Sequence, residues 1–209
     1  MKRIGFDLDG CLVDFNTGFV ELTIKLLGKN LYPSEWWEGK KLTPLPQVWD
    51  YPQFNGYSDQ EVKEVWSVIK ESEDFWLKLK PDPGMKLITE QLLFENEVYF
   101  ITNRKGLKVK RQTEVWLRSN LVTNNGWIKT FPHSEATVLI SADKGGLARS
   151  LNLDIYIDDN YDNIVDTIVV SPTTNAYLLD KPYNQKLDLK AVEHRRVKSV
   201  KEMFTKEGL

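Results

Sequence analysis

Polar side chains follow three short apolar segments of the sequence, at the point where each segment ends. The three polar pairs are Asp7 with Asp9, Thr102 with Asn103, and Asp158 with Asp159. In open α/β sheets, ligands bind at the carboxyl ends of the strands, so these pairs are expected to meet at one site. Four carboxylates brought together repel one another unless a cation lies among them. Oxygen ligands suit Mg²⁺, which is usually held by one or two carboxylates together with substrate phosphate.

The elements that must position these residues alternate between strand and helix. Short apolar runs predict strands at 4–6, 97–101, 138–140, 155–157 and 168–170. Apolar residues at helical spacing predict helices at 13–27, 59–70, 85–94, 107–121, 144–151 and 200–206, with Ser58 capping the second. This alternation is typical of an α/β protein with a Rossmann-like parallel sheet and helices on both faces.

One stretch of the chain differs in composition from the rest. Residues 30–78 hold ten of the 24 aromatic residues, including five of the seven tryptophans, and several prolines interrupt them. We interpret this stretch as part of an aromatic-lined module inserted into the fold. The predicted division separates residues 18–78, which contain this module, from a core of residues 1–17 and 79–209.

Composition excludes several classes of protein. The 209 residues are 41% apolar and 28% charged with a net charge of −2, which argues against disorder and against a general nucleic-acid binder. Cys11 is the single cysteine, so no internal disulfide forms, and a reducing, cytoplasmic location is expected. No apolar run approaches the roughly 18 residues that span a membrane. His133 and His194 stand alone and are interpreted as ordinary, not metal-binding, histidines.

The polar segments also match a known family in order and spacing. Residues 7–14 (Asp-Leu-Asp-Gly-Cys-Leu-Val-Asp) resemble the first motif of the haloacid dehalogenase-like (HAD) phosphohydrolases, and residues 101–103 (Ile-Thr-Asn) resemble the second. Lys144 resembles the lysine of the third motif. Asp158 and Asp159, followed by Asp162 and Asn163, resemble the fourth. The resemblance covers nearly the whole chain and implies a HAD core with a cap between the first and second motifs.

A narrower resemblance concerns the substrate. Residues 14–15 (Asp-Phe), the aromatic-rich segment, residues 75–84 and residues 141–144 are similar to the 5'(3')-deoxyribonucleotidases. These enzymes tend to follow the residue of the second motif with a small residue and proline, whereas this chain has Asn103, Arg104 and Lys105. The implied substrate is a nucleoside monophosphate, preferably a deoxyribonucleotide. The alternative substrates are a sugar phosphate, another small phosphoester or a nucleic-acid 3'-phosphate. The alternative to an enzyme is a catalytically idle HAD domain that only binds a ligand. A homodimer is left open.

The resemblance also implies the catalytic roles. Asp7 would attack phosphorus and form an aspartyl-phosphate, and Asp9 would protonate the leaving oxygen and then activate water. Lys144 would neutralise Asp7 and the phosphate. Mg²⁺ would be held by Asp7, by the backbone carbonyl of Asp9 and by Asp158. Asp159 and Asp162 are expected to support these ligands without contacting the ion.

The remaining candidate residues would bind the substrate. Thr102 would donate its hydroxyl to the phosphate, with the backbone amides of Asn103 and Leu8 nearby. The basic run that begins at Arg104 and Lys105 is either a solvated helix face, which we favour, or a grip on the phosphate. Three aromatic residues are candidates for the slot that holds a base: Phe15, Phe75 and Trp76. Two further aromatics are interpreted as packing residues of the cap: Trp49 and Trp66.

Simpler interpretations exist for each motif taken alone. Residues 7–10 could be an ordinary turn, Thr102 and Asn103 could cap the next helix, and Lys144 could be an exposed lysine at a helix start. Cys11 is expected to be a small buried packing residue. The agreement of four motifs in order favours the catalytic interpretation.

Overall fold

The computed structural model describes residues 1–33, 50–123, 126–127, 137–185 and 192–209. Its centre is a sheet of six parallel strands in the order β10-β9-β8-β1-β4-β7. These strands are β1 (Arg3–Asp7), β4 (Glu97–Thr102), β7 (Thr137–Ile140), β8 (Ile155–Asp158), β9 (Asn175–Leu179) and β10 (Arg196–Val197). Two-stranded antiparallel pairs form between β2 (Val13–Asp14) and β3 (Lys80–Pro81), and between β5 (Val122–Thr123) and β6 (Gly126–Trp127).

Eight α-helices lie in the described part of the chain. They are α1 (Phe15–Leu27), α2 (Tyr51–Phe54), α3 (Asp59–Glu71), α4 (Glu90–Glu95), α5 (Leu107–Asn120), α6 (Lys144–Leu151), α7 (Tyr161–Val170) and α8 (Val200–Glu207). The predicted Rossmann-like α/β architecture is confirmed. None of these helices is long and apolar enough to cross a membrane.

The central strands are mainly apolar between their first and last residues because helices cover both faces of the sheet. In β1, Ile4 and Phe6 are fully buried, and Phe100 of the neighbouring β4 is buried equally. Both strands begin with a charged residue, Arg3 in β1 and Glu97 in β4, and end with a polar one, Asp7 and Thr102 respectively. The residues that could take part in chemistry therefore lie together at the carboxyl ends of the strands.

Two of the predicted elements are wrong. Residues 168–170 are the last turn of α7, because Asn160 caps that helix and Ile164 and Thr167 are buried one turn apart. The strand at this place in the sheet is β9, which has no β-branched residue to signal it. The predicted helix at 85–94 is split, because Thr89 is extended and caps α4, after a short 3₁₀ helix at Pro83–Leu87.

The predicted cap begins and ends beside the small β2–β3 pair. In this pair Val13 lies opposite Pro81 and Asp14 opposite Lys80, so the chain leaves the core and returns to it at adjacent points. Asp14 then caps α1, its carboxylate accepting from the Thr17 amide and hydroxyl. The division at residues 18–78 stays a prediction. Trp49 and His133 lie outside the described residues.

Candidate active site

Asp7 and Lys144 form a buried ion pair at the carboxyl edge of the sheet. Lys144 is the first residue of α6, and its Nζ donates to Asp7 Oδ1 at 2.9 Å and to the Ile101 carbonyl at 2.8 Å. The side chains of Lys144 and Asp7 are 2% and 11% exposed. Lys144 is therefore not an exposed lysine at a helix start. It supplies positive charge directly to Asp7.

The electrostatics of this pair follow from burial and from crowding. Burial raises the pKa of Asp7 well above its usual value, Lys144 opposes this, and Asp158, Asp159 and Asp9 add to it. Burial by itself would lower the pKa of Lys144, but Asp7 and Asp158 outweigh it and the pKa is raised. The lysine thus stays protonated beside a carboxylate that needs further positive charge to remain ionised.

Asp158 and Asp159 have different surroundings. Asp158 Oδ1 accepts from the Asn160 amide at 2.8 Å, and Asp158 Oδ2 accepts from Asn163 Nδ2 at 2.9 Å and from the Tyr156 hydroxyl. Asp159 accepts from the Tyr183 hydroxyl through Oδ2. Burial, reinforced by Asp158, raises the pKa of Asp159 to about 8.

The donor atoms fit a hard divalent cation. Carboxylate oxygens of Asp7 and Asp159 and the sulfur of Cys11 lie within 4.8 Å of one another. The Cys11 thiol is fully buried, and burial raises its pKa well above the usual value, so it stays protonated and packs as predicted. The two carboxylates are oxygen ligands of the kind that Mg²⁺ takes. Asp159, predicted as a supporting residue, thus belongs to this cluster with Asp7.

Gly10 allows Asp159 to approach the loop after β1. Its φ is +83°, and a Cβ at this position would overlap Asp159 Oδ2 and lie 2.8 Å from the Tyr183 hydroxyl. Only glycine meets both conditions without strain. Steric crowding and the positive φ therefore explain why glycine occupies this position of the first motif.

Thr102 and Asn103 line the same cavity from the end of β4. Thr102 is 1% exposed, and its hydroxyl oxygen accepts from the Arg104 amide at 3.3 Å. Helix α5 begins only after Gly106 and has no side-chain cap, so Thr102 and Asn103 do not cap it. Asn103 is exposed at the cavity surface.

Arg104 is not part of a solvated helix face. Its side chain is 2% exposed, with Nε 2.9 Å from Asp9 Oδ2 and Nη2 2.6 Å from Asp9 Oδ1. The third nitrogen, Nη1, donates to the Thr113 hydroxyl at 3.0 Å. Every nitrogen of the guanidinium therefore already donates to the protein, whereas Lys105 is exposed at the cavity wall.

The predicted base-binding aromatics form one packed group. Phe15 stacks on Trp76 with ring centroids 5.8 Å apart and on Trp66 at 5.6 Å, and Phe75 meets Trp76 edge-on. Trp76 is 5% exposed and Phe75 9% exposed, so protein covers most of both rings, and Trp76 still lines the cavity. The stacking role of Trp76 stays a prediction. Trp66, interpreted as packing only, is 37% exposed and lines the cavity.

These residues surround a cavity of about 810 Å³. The carboxylates and Lys144 line it together with Phe15, Trp66 and polar residues of α2 and α3. This volume lies within the range of about 300–1,000 Å³ that is usual for small-molecule sites.

Some residues of the site were not predicted from the sequence, and one predicted residue does not line the cavity. Asp162 is exposed in the first turn of α7, and its neighbour Asn163 makes the contact with Asp158. Asn163 had a signal, since it belongs to the fourth motif. Tyr183 and Thr113 had none, because they reach the site from distant elements.

Comparison with known proteins agrees with this architecture. No protein-family model and no curated protein matches the sequence. A haloacid dehalogenase-like hydrolase from Streptococcus pneumoniae is 14% identical, with a TM-score of 0.60 over 99% of this chain and 98% of that one. A protein provisionally named phosphoglycolate phosphatase, from Lactobacillus plantarum, is 13% identical, with a TM-score of 0.55 over 98% of each chain.

A third solved structure is YfnB from Bacillus subtilis, provisionally named a HAD hydrolase and bound to magnesium. It is 13% identical and has a TM-score of 0.54 over 100% of this chain and 99% of that one. Other chains with similar structures are 2-haloacid dehalogenases. At these identities the likeness concerns the fold, and the chain has the α/β fold of the HAD hydrolases.

Proposed function

We propose that the chain is a Mg²⁺-dependent phosphatase that hydrolyses a small phosphoester through an aspartyl-phosphate. The observation that carries this proposal is the buried pair of Asp7 and Lys144, with Asp9 two residues along the same loop, in the wall of the cavity. A carboxylate nucleophile, a neighbouring proton donor and a fixed cation are the groups that phosphoryl transfer by this route requires.

In the proposed reaction Asp7 attacks phosphorus, and the bond between phosphorus and the leaving oxygen breaks. Asp9 gives its proton to that oxygen, and later takes a proton from the water that hydrolyses the aspartyl-phosphate. Lys144 neutralises charge on Asp7 and on the phosphate. The Thr102 hydroxyl and the backbone amides of Asn103 and Leu8 would contact the phosphate oxygens.

The metal would be held by Asp7, by Asp159 and by the backbone carbonyl of Asp9. Mg²⁺ would supply positive charge between the carboxylates and the phosphate. Asp158, which the sequence favoured as the ligand, accepts three hydrogen bonds, so we assign it to shaping this end of the cavity.

A nucleoside monophosphate is the proposed substrate class, with a deoxyribonucleotide preferred. The size of the cavity and the exposed face of Trp66, beside the half-buried Phe15, support a flat base at the end away from the phosphate. Aromatic faces stack on bases, whereas sugars mainly form hydrogen bonds. A sugar phosphate is the alternative substrate, and it has no flat base to stack on an aromatic ring.

A second candidate activity is hydrolytic dehalogenation, because some chains with this fold are dehalogenases. A halide leaves without a proton, so that reaction has no use for a proton donor beside the nucleophile. The presence of Asp9 therefore favours phosphoester hydrolysis.

The test is a panel of nucleoside monophosphates, sugar phosphates and 2-haloacids, each measured with Mg²⁺ and with a chelator. We expect phosphate release that needs Mg²⁺ and is fastest with deoxyribonucleotides. Halide release from a 2-haloacid, with no phosphate release from any ester, would contradict the proposal. The Asp7→Asn variant is the control for a contaminating phosphatase.

A further inference from the structure

Asp9 is held by a two-pronged contact. Both of its carboxylate oxygens accept from Arg104, one from Nε and the other from Nη2. Such a fork fixes the plane of the carboxylate as well as its position, which a single contact does not do. Each oxygen keeps a further lone pair, and one of these can carry the proton that Asp9 passes to the leaving oxygen.

Arg104 is in turn fixed from two sides. Thr113, fully buried in α5, accepts from Nη1, and its own hydroxyl donates to the Val109 carbonyl at 2.9 Å. The guanidinium also lies over the ring of Trp76, with the Arg104 Cζ 4.3 Å from the ring centroid. The position of the fork therefore depends on Trp76.

The contact with Trp76 continues through Phe15 to Trp66. Trp76, Phe15 and Trp66 form an aromatic column, with interplanar angles of 18° and 19° between successive rings. Trp66 belongs to α3, and Phe15 is the first residue of α1. A shift of α3 is thus passed along packed rings, because close-packed side chains leave little free space to absorb it.

We propose that Arg104 is a positioning residue for Asp9, and that the aromatic column couples the placement of α3 to the proton donor. The inference rests on the proposed phosphatase function. When the bond between phosphorus and the leaving oxygen breaks and Asp7 binds phosphorus, the proton must pass from Asp9 to that oxygen. Arg104 holds Asp9 where this transfer occurs, and contacts with the phosphate are left to other residues.

The experiment compares phenyl phosphate with 4-nitrophenyl phosphate, in the presence of Mg²⁺. The two esters are nearly equal in shape, but phenolate is a poor leaving group that needs a proton, whereas nitrophenolate departs as a stable anion. A correctly placed general acid contributes about 10²- to 10⁴-fold to rate. Loss of its positioning should remove part of this, on phenyl phosphate only.

For Arg104→Met we expect the rate of phenol release in the first turnover, which reports formation of the aspartyl-phosphate, to fall about 10- to 100-fold, a part of what general acid catalysis contributes. With 4-nitrophenyl phosphate the same first-turnover rate should fall less than about threefold, a drop below the range of general acid catalysis. Hydrolysis of the aspartyl-phosphate, in which Asp9 is the base, should slow equally after either ester. Arg104→Lys keeps the charge without the fork and should recover part of the loss. Arg111→Met, at an exposed arginine of α5, is the matched control and should change neither rate.

The aromatic column is tested with Trp76→Leu. We expect the same selective loss on phenyl phosphate, and little further loss when Trp76→Leu is added to Arg104→Met, because both act through Asp9. Additive losses would overturn the coupling through the column.

Equal losses of the first-turnover rate on both esters, or weaker binding of both esters with unchanged first-turnover rates, would overturn the positioning role and indicate a grip on the phosphate. Thermal denaturation of each variant identifies misfolding, in which case Arg104→Lys, which keeps the buried charge, decides between the same outcomes. Failure of the unsubstituted chain to release phosphate from these two esters and from every ester of the panel would overturn the proposed function, and this inference with it.

Discussion

Lys144→Met removes the ammonium group that pairs with Asp7 and keeps most of the side-chain volume. Because the pair is 2.9 Å long and its side chains are only 2% and 11% exposed, solvent cannot replace the lost cation. Breaking a buried ion pair by removing one partner costs about 3–5 kcal/mol. We expect a loss of this size in the free energy of unfolding, measured by urea denaturation at pH 7 in a chelator.

The double variant Asp7→Asn with Lys144→Met serves as the control for this prediction. It removes both charges, so most of the lost stability should return. Added Mg²⁺ should stabilise Lys144→Met more than it stabilises the unsubstituted chain, because the ion supplies charge that Asp7 then lacks. A loss below about 1 kcal/mol, which is typical of a surface pair, would refute the inference that Asp7 depends on Lys144 for its charge.

Three further perturbations test other parts of the structure. Asp159→Asn should weaken Mg²⁺ binding, measured by isothermal titration calorimetry, by about 10- to 100-fold more than Asp158→Asn does, if the metal ligand is Asp159; equal effects would refute that assignment. Gly10→Ala should lower unfolding free energy by more than the roughly 1–2 kcal/mol that a left-handed backbone costs a residue with a Cβ, because the methyl group also overlaps Asp159. Its control is Gly28→Ala, where φ is +64° and nothing lies within 4 Å, and a similar loss in both would disprove the overlap. Ser58→Ala removes the capping box of α3 and should cost about 0.5–2 kcal/mol, whereas Ser119→Ala on the exposed face of α5 should cost almost nothing.

The parts of the fold that sequence predicts are those set by local pattern. Helix α6 has the predicted ends, and Ser58 caps α3 as predicted, because capping residues and apolar spacing act within a few positions. Strand β9 was missed because its place is set by the neighbouring β8 and not by its own residues. The end of α7 was predicted as a strand because its residues are β-branched and apolar.

The candidate site divides in the same way. Asp7, Thr102 and Lys144 come together because parallel strands end at one edge, which the motifs already imply. The pairing of Arg104 with Asp9 was not predictable, because it joins residues 95 positions apart through the packing of α5 and Trp76. The choice between Asp158 and Asp159 likewise depends on Tyr156 and Tyr183, which the sequence did not single out.

The most direct test of the proposed chemistry is to trap the phosphoryl group on the protein. The chain is mixed with Mg²⁺ and a phosphoester that it hydrolyses, and the reaction is quenched in acid within the time of one turnover. The protein is then digested for peptide mass spectrometry. We expect one added phosphoryl group on the peptide that carries Asp7, and none in the Asp7→Asn variant, which should release almost no phosphate. Phosphate release by Asp7→Asn within tenfold of the unsubstituted chain, or release without any label on Asp7, would contradict the proposal.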